Sequence, residues 1–295
     1  MKVPSNLVKD IRDYYCEKLC YIYDRKEADS MILILFDYYF KISRVKMLLE
    51  PDLRLSESEM LKIHFAVKDL LKYKPIQYVI GETEFCDLRF KLNENVLIPR
   101  PETSELVRMI ADSCKLSAVG NILDIGTGSG CIAISLAKML PQSQVFAMDI
   151  SEKALDVAKE NAANNNENVI FIHDDILSLR NDIETKFDII VSNPPYVREM
   201  EKTDMHDNVL NWEPHGALFV SDDDPMIFYK SILEFSKTHL NENGQVWLEI
   251  NEFLGKEMLS LCQDLGFCYI RIIKDFREKE RFMRLNINQT SRLGS

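Results

Sequence analysis

The pattern of apolar and polar residues changes character near residue 80. Before that point apolar residues recur at helical intervals, as in the segment from Met60 to Leu71, and this periodicity predicts helices. Helix starts are expected at Asp29-Ser30, before an apolar run, and at Ser56, which Glu59 follows at capping-box spacing. Residues 1–75 are therefore predicted to form a small all-α domain.

The segment from residue 76 to residue 101 alternates between apolar and polar positions. This alternation predicts a β-hairpin linker, which we expect to turn at Asn93-Glu94-Asn95. The hairpin would join the helical domain to whatever follows it.

From residue 102 onward, candidate strands alternate with helical stretches. The seven candidate strands are NILDIG, QVFAMDI, VIFIHDD, FDIIVSN, GQVWLEI, YIRIIKD and RFMRLNI. This pattern predicts a doubly wound α/β fold over residues 102–288, with a seven-stranded, mostly parallel sheet. The last two strands are too close in sequence for a crossover helix, so we expect an antiparallel C-terminal hairpin. Residues 289–295 are expected to form a polar tail.

Composition and charge limit the class of protein. The chain has 295 residues, 46% hydrophobic and 28% charged, as in an ordinary soluble globular protein. Its net charge of -11 argues against direct nucleic-acid binding by phosphate neutralisation. The apolar runs are too short to span a bilayer, and a signal-peptide pattern is missing. Seven scattered cysteines indicate reduced thiols and hence the cytoplasm. The five histidines lack metal-site spacing, so we expect no metal. We also expect a monomer.

The segment LDIGTGSG, from Leu123 to Gly130, turns a predicted buried strand into a helix through a glycine-rich loop. Such glycines permit a tight turn and the close approach of the backbone to a ligand. The spacing is G-x-G-x-G, because Cys131 stands where a dinucleotide-binding loop has its last glycine. Asp149 ends the next predicted strand, where a carboxylate can accept hydrogen bonds from ribose hydroxyls. These residues predict a site for a nucleoside without a pyrophosphate.

The third predicted strand ends at Asp174 and Asp175, near the same edge of the sheet. Either carboxylate can accept a hydrogen bond from an adenine amino group. We favour Asp175, with Ile176 packing on the ring, although an aspartate before a helix is also a common cap.

The fourth predicted strand ends at the motif Asn193-Pro194-Pro195-Tyr196. The side-chain oxygen of Asn193 and the carbonyl oxygen of Pro194 can accept both hydrogens of a planar NH2 group, and Tyr196 can lie against that group. Two such acceptors favour the pyramidal, electron-rich nitrogen that forms during nucleophilic attack. The matching electrophile is a methyl group on a sulfonium. The motif therefore predicts methyl transfer to an NH2 nitrogen.

Several motifs together make the chain similar to S-adenosylmethionine-dependent methyltransferases. More narrowly, it resembles the release-factor glutamine methyltransferases, the PrmC/HemK family. The motifs are QYVIGETEF, VLIPRPETSELV, LDIGTGSG, DIIVSNPPYV and EPHGALF, and they extend over nearly the whole chain. DNA adenine methyltransferases share the Asn-Pro-Pro-Tyr motif, whereas IPRPET is far more specific to this family. The chain departs from the family pattern at Ser104, where a glutamate is usual, and at Asp174, where a glycine is frequent.

This resemblance implies a Rossmann-like methyltransferase fold. It also implies methylation of the side-chain amide nitrogen (N5) of the glutamine in the Gly-Gly-Gln motif of class 1 peptide release factors. S-adenosylmethionine would be the cofactor and S-adenosylhomocysteine the product, while the N-terminal helical domain would help to bind the release factor. Substrate binding is expected at Asn193, Pro194, Pro195 and Tyr196, with catalytic roles for Asn193, Pro194 and Tyr196. The residues expected at the cofactor are Asp124, Gly126, Thr127, Gly128, Ser129, Gly130, Asp149, Asp175, Ile176 and Asn193.

Three other functions compete with this one. An adenine-N6 nucleic-acid methyltransferase shares the Asn-Pro-Pro-Tyr motif but would need a basic recognition face. A ribosomal-protein glutamine methyltransferase shares the whole motif set and is separated only by degree of resemblance. A non-catalytic protein that binds S-adenosylmethionine would have no use for an intact Asn-Pro-Pro-Tyr motif.

Overall fold

The computed structural model describes residues 5–114 and 119–287, so the predicted polar tail lies outside the described residues. In chain order, the elements are α1 (Val8–Leu19), α2 (Arg25–Phe40), α3 (Arg44–Leu49), α4 (Glu57–Leu70), α5 (Ile76–Ile80), β1 (Glu82–Phe85), β2 (Leu88–Lys91), α6 (Pro101–Cys114), β3 (Asn121–Ile125), α7 (Cys131–Met139), β4 (Gln144–Asp149), α8 (Glu152–Asn165), β5 (Val169–His173), β6 (Phe187–Ser192), β7 (Val197–Arg198), α9 (Asp207–Trp212), β8 (Phe219–Val220), α10 (Ile227–His239), β9 (Leu240–Glu249), α11 (Gly255–Asp264), β10 (Cys268–Lys274) and β11 (Glu280–Asn286). Short 3-10 helices at Glu199–Asp204 and His215–Ala217 complete the order.

The chain divides into two compact units. The helical unit comprises residues 1–81 together with 206–212, and the sheet unit comprises residues 82–205 and 213–295. The later segment belongs to the helical unit because Trp212 donates its indole N–H to the carbonyl of Lys72, over 3.0 Å.

The helical unit buries one face of each of its longer helices in a common core. The predicted capping box at Ser56 and Glu59 is confirmed at the start of α4. The predicted helix start at Asp29-Ser30 is wrong, because Asp24 caps α2 by accepting hydrogen bonds from the N–H groups of residues 26 and 27. The charged first turn of α2 carries no apolar periodicity, which hid the true start.

The sheet unit contains a seven-stranded sheet in the order β10-β11-β9-β6-β3-β4-β5. Strands β5, β4, β3, β6 and β9 pair in parallel, whereas β11 is antiparallel to both β9 and β10. The predicted mostly parallel sheet and its antiparallel C-terminal hairpin are therefore confirmed.

Helices cover both faces of this sheet, so its central strands are buried on both sides. Ile122 and Val145 contribute to the core that α6 and α7 cover. The next residues along the same strands, Leu123 and Phe146, contribute to the core that α10 and α11 cover. This double burial explains the continuous apolar runs in the sequence.

The hairpin that precedes the sheet turns earlier than predicted. Strands β1 and β2 pair from Glu82–Lys91 to Phe85–Leu88, so the turn is Cys86-Asp87. Both turn residues have positive φ, of 48° and 63°, as a two-residue hairpin turn requires. The expected turn at Asn93-Glu94-Asn95 is therefore wrong, although Asn93 does form a local turn by accepting from the N–H of Asn95 at 2.9 Å.

Candidate active site

The loops at the carboxyl ends of β3, β4, β5 and β6 enclose a cavity of about 460 Å³. Such loops are the usual ligand position in an open α/β sheet. Predicted site residues that line the cavity are Gly126, Gly128, Asp149, Asp175, Ile176, Asn193, Pro194 and Pro195. The volume is in the range of small-molecule sites. The structure thus brings the glycine loop and the Asn-Pro-Pro segment to one cavity.

The glycine loop follows β3 with backbone conformations that favour glycine. Gly126 and Gly128 have φ of 74° and 56°, and both have open space where a side chain would begin. Gly130 has a different environment, because an added Cβ would lie 2.8 Å from Ile134 and 3.1 Å from Ala158. Gly130 therefore allows close packing of α7, whereas the first two glycines leave room beside the cavity.

Asp149 ties the glycine loop to the end of β4. Its carboxylate accepts hydrogen bonds from the N–H of Gly128 and the N–H of Ser151, both at 2.8 Å. Burial raises the pKa of Asp149, while these hydrogen bonds oppose the rise. Each carboxylate oxygen keeps a further lone pair, so Asp149 can still accept a hydrogen bond from a hydroxyl in the cavity.

Asp124 lies fully buried beneath the same loop. Its Oδ2 accepts from the Thr127 hydroxyl at 2.6 Å and from the N–H of Ala133 at 3.3 Å. Its Oδ1 has no hydrogen-bond partner among the described residues, and burial raises the pKa of Asp124 to about 7. A cation in the cavity would favour its ionised form. Asp124, Thr127, Ser129 and Gly130 lie outside the cavity lining and shape the loop from behind.

The two acidic residues after β5 have different environments. Asp174 is buried, and its carboxylate accepts from the N–H groups of Asp175, Arg180 and Asn181 and from the Asn181 side chain. Burial alone would raise the pKa of Asp174, but these hydrogen bonds bring it below its usual value. Both Asp174 and Asp175 line the cavity, and Asp175 accepts from the N–H of Leu177 at 2.9 Å. Asp174 therefore holds its own loop, which leaves Asp175 the freer acceptor.

Asn193 and Pro194, just after β6, form a further wall of the cavity. Strand β6 is paired directly with β3, so the Asn-Pro-Pro segment and the glycine loop leave neighbouring strands at the same edge. The Asn193 side chain is half-buried and donates its Nδ2 to the hydroxyl of Thr103 over 3.3 Å. An amide oxygen and a proline carbonyl at one cavity wall provide acceptors without a competing proline N–H.

Tyr196 lies beside the cavity rather than in its lining. Its hydroxyl donates to Oε1 of Glu249 at 2.9 Å, and the other oxygen of Glu249 accepts from Thr103 at 2.7 Å. Burial raises the pKa of Tyr196 well above its usual value, and the Glu249 charge raises it further. Thr103 and Glu249 were missed as site residues. The available signal was an acidic residue at the end of a predicted strand, as at Asp149.

Two segments on the rim of the cavity are joined by an ion pair. Arg100 contacts the buried carboxylate of Glu213 at 2.7 Å, and the N–H of Ile98 donates to the same carboxylate at 3.3 Å. The cavity lining includes Leu97 beside the first segment and Pro214 beside the second. The ion pair therefore fixes the separation of the two rim segments.

The described residues, 5–114 and 119–287, contain neither a metal-binding group of side chains nor a membrane-spanning helix. This part of the chain contains no group of three His, Cys, Asp or Glu side chains that could hold a metal ion. None of its helices combines the length and the apolar character needed to cross a bilayer.

Two family models match the chain. Residues 23–81 match the PrmC N-terminal domain, and residues 103–212 match the methyltransferase small domain. The first match lies in the helical unit, and the second includes the glycine loop and the Asn-Pro-Pro-Tyr motif.

Similar proteins extend over almost the full length of the chain. The release factor glutamine methyltransferase of Flavobacterium psychrophilum is 46% identical over 283 residues, which cover 95% of this chain and 99% of that protein. The release factor glutamine methyltransferase of Bacteroides thetaiotaomicron is 40% identical over 276 residues, which cover 94% and 99%.

Solved structures with the same fold are much more distant in sequence. The hMettl16 catalytic domain, in complex with an RNA hairpin, has a TM-score of 0.54 at 14% identity and covers 80% of this chain and 84% of its own. A T. thermophilus 16S rRNA methyltransferase, in complex with AdoMet and guanosine, has a TM-score of 0.50 at 17% identity and covers 70% and 50%. These similarities show the methyltransferase fold.

Proposed function

We propose, because the chain belongs to the release factor glutamine methyltransferase family, that its cavity transfers a methyl group from S-adenosylmethionine to the side-chain amide nitrogen of a glutamine. The protein is an enzyme that methylates a release factor glutamine. The proposed target is the glutamine of the Gly-Gly-Gln motif in a class 1 peptide release factor.

One observation carries the assignment of this reaction to the cavity. The glycine loop with Asp149 and the acceptor segment Asn193-Pro194-Pro195 line the same space of about 460 Å³. A cofactor held by the first set would therefore meet an amide held by the second, which is the proximity that a direct transfer needs.

The residues present fit this cofactor. Gly126 and Gly128 leave space for a ligand close to the backbone, and Asp149 offers acceptors for ribose hydroxyls. Asp175 is the proposed acceptor for the adenine amino group, with Ile176 at the ring. Asp124 has one buried oxygen without a partner among the described residues, and a cationic ligand in the cavity would favour its ionised form. When bound, S-adenosylmethionine supplies a methyl group on a sulfonium, activated for attack by a nucleophile.

The acceptor wall would increase the nucleophilicity of the substrate nitrogen. In an amide the nitrogen lone pair is delocalised, so the nitrogen is a weak nucleophile. The Asn193 oxygen and the Pro194 carbonyl would accept its two hydrogens and stabilise the nitrogen as it becomes pyramidal and gains positive charge. Tyr196, held at its hydroxyl by Glu249, would limit the approach of water. The extra proton can leave after transfer.

The helical unit would help to bind the release factor protein, and direct contact with nucleic acid is not part of the reaction. We take the working form to be a monomer in the cytoplasm, where release factors act on ribosomes.

Mass spectrometry tests the proposed function directly. A class 1 release factor is incubated with the enzyme and S-adenosylmethionine carrying a deuterated methyl group, and the Gly-Gly-Gln peptide is sequenced. We expect one labelled methyl group on the glutamine side chain and none when that glutamine is replaced by alanine. Label on ribosomal protein, RNA or DNA, with an unmodified release factor, would refute the proposal.

A further inference from the structure

A buried carboxylate at the end of β9 contacts the acceptor wall through two hydroxyl groups. We propose that Thr103 and Glu249 are positioning residues that fix which end of the Asn193 amide faces the substrate. This inference rests on the proposed function, because it concerns the same amide of Asn193. It also gives a role to the threonine of the IPRPET segment.

The direction of the amide follows from the number of protons available. An ionised carboxylate can only accept hydrogen bonds, so the single hydroxyl proton of Thr103 is donated to Glu249 Oε2, over 2.7 Å. The Thr103 oxygen then offers only lone pairs to its other neighbour. The group at 3.3 Å from that oxygen is Nδ2 of Asn193, which donates to it. Asn193 therefore directs its NH2 towards Thr103 and leaves its oxygen for the substrate.

The opposite orientation of the amide is disfavoured by the same arrangement. If Asn193 were rotated, its oxygen would face a hydroxyl oxygen whose proton is already committed. Two acceptors would then be in contact, one hydrogen bond would be lost, and an NH2 group would face the substrate's own NH2 group. Ionised Glu249 thus determines the chemical character of the acceptor wall without lining the cavity.

The same carboxylate also holds Tyr196, which lies beside the acceptor wall. Its Oε1 accepts from the hydroxyl of Tyr196 at 2.9 Å. At the backbone, the carbonyl of Tyr196 accepts from the side chain of Asn251 at 3.0 Å. Both ends of Tyr196 are therefore held, and one carboxylate links the orientation of Tyr196 to that of Asn193.

Burial makes this network costly to the fold unless it is fully hydrogen-bonded. Thr103 is 2% exposed and Glu249 is 1% exposed. A buried carboxylate is tolerated when its oxygens have partners, and apolar residues could fill the same volume at a smaller cost. Here each oxygen of Glu249 accepts a hydrogen bond from a hydroxyl group. Through Thr103 the hydrogen bonds lead to Asn193, where the substrate nitrogen is proposed to bind. The arrangement is what an orienting function requires.

The test compares Thr103→Val, Thr103→Ser, Glu249→Gln and Asn193→Ala in the full-length enzyme. Single-turnover rates are measured with saturating S-adenosylmethionine and a class 1 release factor. The affinity for S-adenosylhomocysteine is measured by calorimetry. Two substitutions serve as matched controls. Thr238→Val changes a threonine near the C-terminal end of α10, and Glu167→Gln removes a carboxylate paired with Lys138 at 3.1 Å. Thermal unfolding verifies that each variant is folded.

We expect Thr103→Val and Glu249→Gln to lower the rate about tenfold, because a misdirected group can cost up to about a hundredfold. Glutamine can donate to Thr103 and so release its proton, which permits the wrong orientation of Asn193. Thr103→Ser keeps the hydroxyl and should recover most of the rate, and the affinity for S-adenosylhomocysteine should remain unchanged throughout.

Two results would overturn the positioning role while the proposed function stands. The first is a slow Asn193→Ala variant with wild-type rates for Thr103→Val and Glu249→Gln. The second is an equal loss in Thr103→Ser and Thr103→Val, which would mean that packing rather than the hydroxyl matters. A wild-type rate for Asn193→Ala would instead refute the proposed function of the acceptor wall, and this inference with it.

Discussion

The two walls of the cavity are built in different ways. The cofactor wall consists of the glycine loop and Asp149. It is local, since the hydrogen bond that closes it, from Gly128 to Asp149, joins residues 21 positions apart. The acceptor wall depends on side chains from distant segments, since Asn193 and Thr103 are 90 positions apart and Thr103 and Glu249 are 146 apart. A backbone loop fixes the first wall, whereas a network of hydroxyl, amide and carboxylate groups fixes the second.

This difference separates the two walls experimentally. Damage to the cofactor wall should appear as weaker cofactor binding, because that wall is proposed to contact the cofactor in the ground state and in the transition state alike. Damage to the acceptor wall should appear as slower turnover with unchanged cofactor binding, because its acceptors act mainly on the nitrogen during attack.

The largest effect is expected for Asn193→Ala. The change removes one of two acceptors for the substrate's hydrogens and leaves the glycine loop intact. Turnover should fall by about 10²–10³, which is typical of deleting one preorganised polar group that acts in the transition state. Single-turnover kinetics with a release factor measure the loss. The matched control is Asn241→Ala, because Asn241 lies at the start of β9, at the other end of the strand from Glu249. A near-wild-type rate would mean that Asn193 is only a turn residue.

Asn193→Asp sharpens this first comparison. The substitution keeps the size and an acceptor but adds a negative charge near the sulfonium. Such a charge stabilises the ground state, where the positive charge is largest, more than the transition state, where it is being lost. We expect cofactor affinity to be kept or increased and turnover to remain low.

The next largest effect is expected for Asp149→Ala on the cofactor wall. Loss of a charge-assisted hydrogen-bond acceptor costs about 1.5–3 kcal/mol, which corresponds to about a tenfold to hundredfold weaker affinity. Calorimetric titration with S-adenosylhomocysteine measures it. Asp156→Ala, which removes an exposed carboxylate from α8, is the control. Wild-type affinity in the Asp149 variant would remove this residue from the cofactor site.

The local wall was the easier one to predict from the sequence. Glycine spacing and an acidic residue at a strand end are properties of short segments, and the structure places Gly126, Gly128 and Asp149 at the cavity. Glu249 also stands at a strand end, but its partner Thr103 lies 146 positions away. Thr103 lies in α6, so this contact is decided by how α6 packs on the sheet, which single-sequence periodicity does not contain.

The same distinction applies to the fold. The four strands β3, β4, β5 and β6 were predictable because each is a mostly apolar run between turns. The hairpin turn was misplaced because Cys86-Asp87 lacks the Asn-Gly or Asp-Gly signal typical of its conformation. The polar residues from Asn93 to Asn95 gave a stronger turn signal, and there the chain does turn, but outside the hairpin.

A smaller effect is expected from pH, and it should differ between the walls. Burial raises the pKa of Glu249 above its ordinary 4.5, although Thr103, Tyr196 and Arg281 oppose the rise and Glu102 adds to it. Since the ionised form orients Asn193, turnover at saturating cofactor should fall as pH falls through the raised pKa and level off about tenfold lower, near the rate of Glu249→Gln. Glu249→Gln should lack this limb of the single-turnover pH profile. A limb that persists in that variant would exclude Glu249 as its source.

This shift also has a consequence for stability. A carboxyl whose pKa is raised in the folded protein favours folding when protonated, and this contribution is lost as pH rises through the folded value. Glu249→Gln should therefore not lower the melting temperature at neutral pH, even though it slows the reaction. Thermal unfolding at pH 7 measures this, and a marked decrease would mean that the ionised carboxylate stabilises the fold.

The smallest effect is expected on the cofactor wall, from Asp175→Ala. If its carboxylate accepts from the adenine amino group, its loss should weaken S-adenosylhomocysteine binding a few-fold, because a net hydrogen bond is worth about 0.5–1.5 kcal/mol.

Asp174→Asn is the matched contrast, since that carboxylate accepts four hydrogen bonds from its own loop. It should lower the melting temperature instead, and in the wild type the stability that Asp174 contributes should be lost as pH falls through its depressed pKa. Calorimetry and thermal unfolding on both variants decide between the two residues. Weaker cofactor binding for Asp174→Asn in a variant of unchanged melting temperature, with wild-type binding for Asp175→Ala, would assign the adenine contact to Asp174.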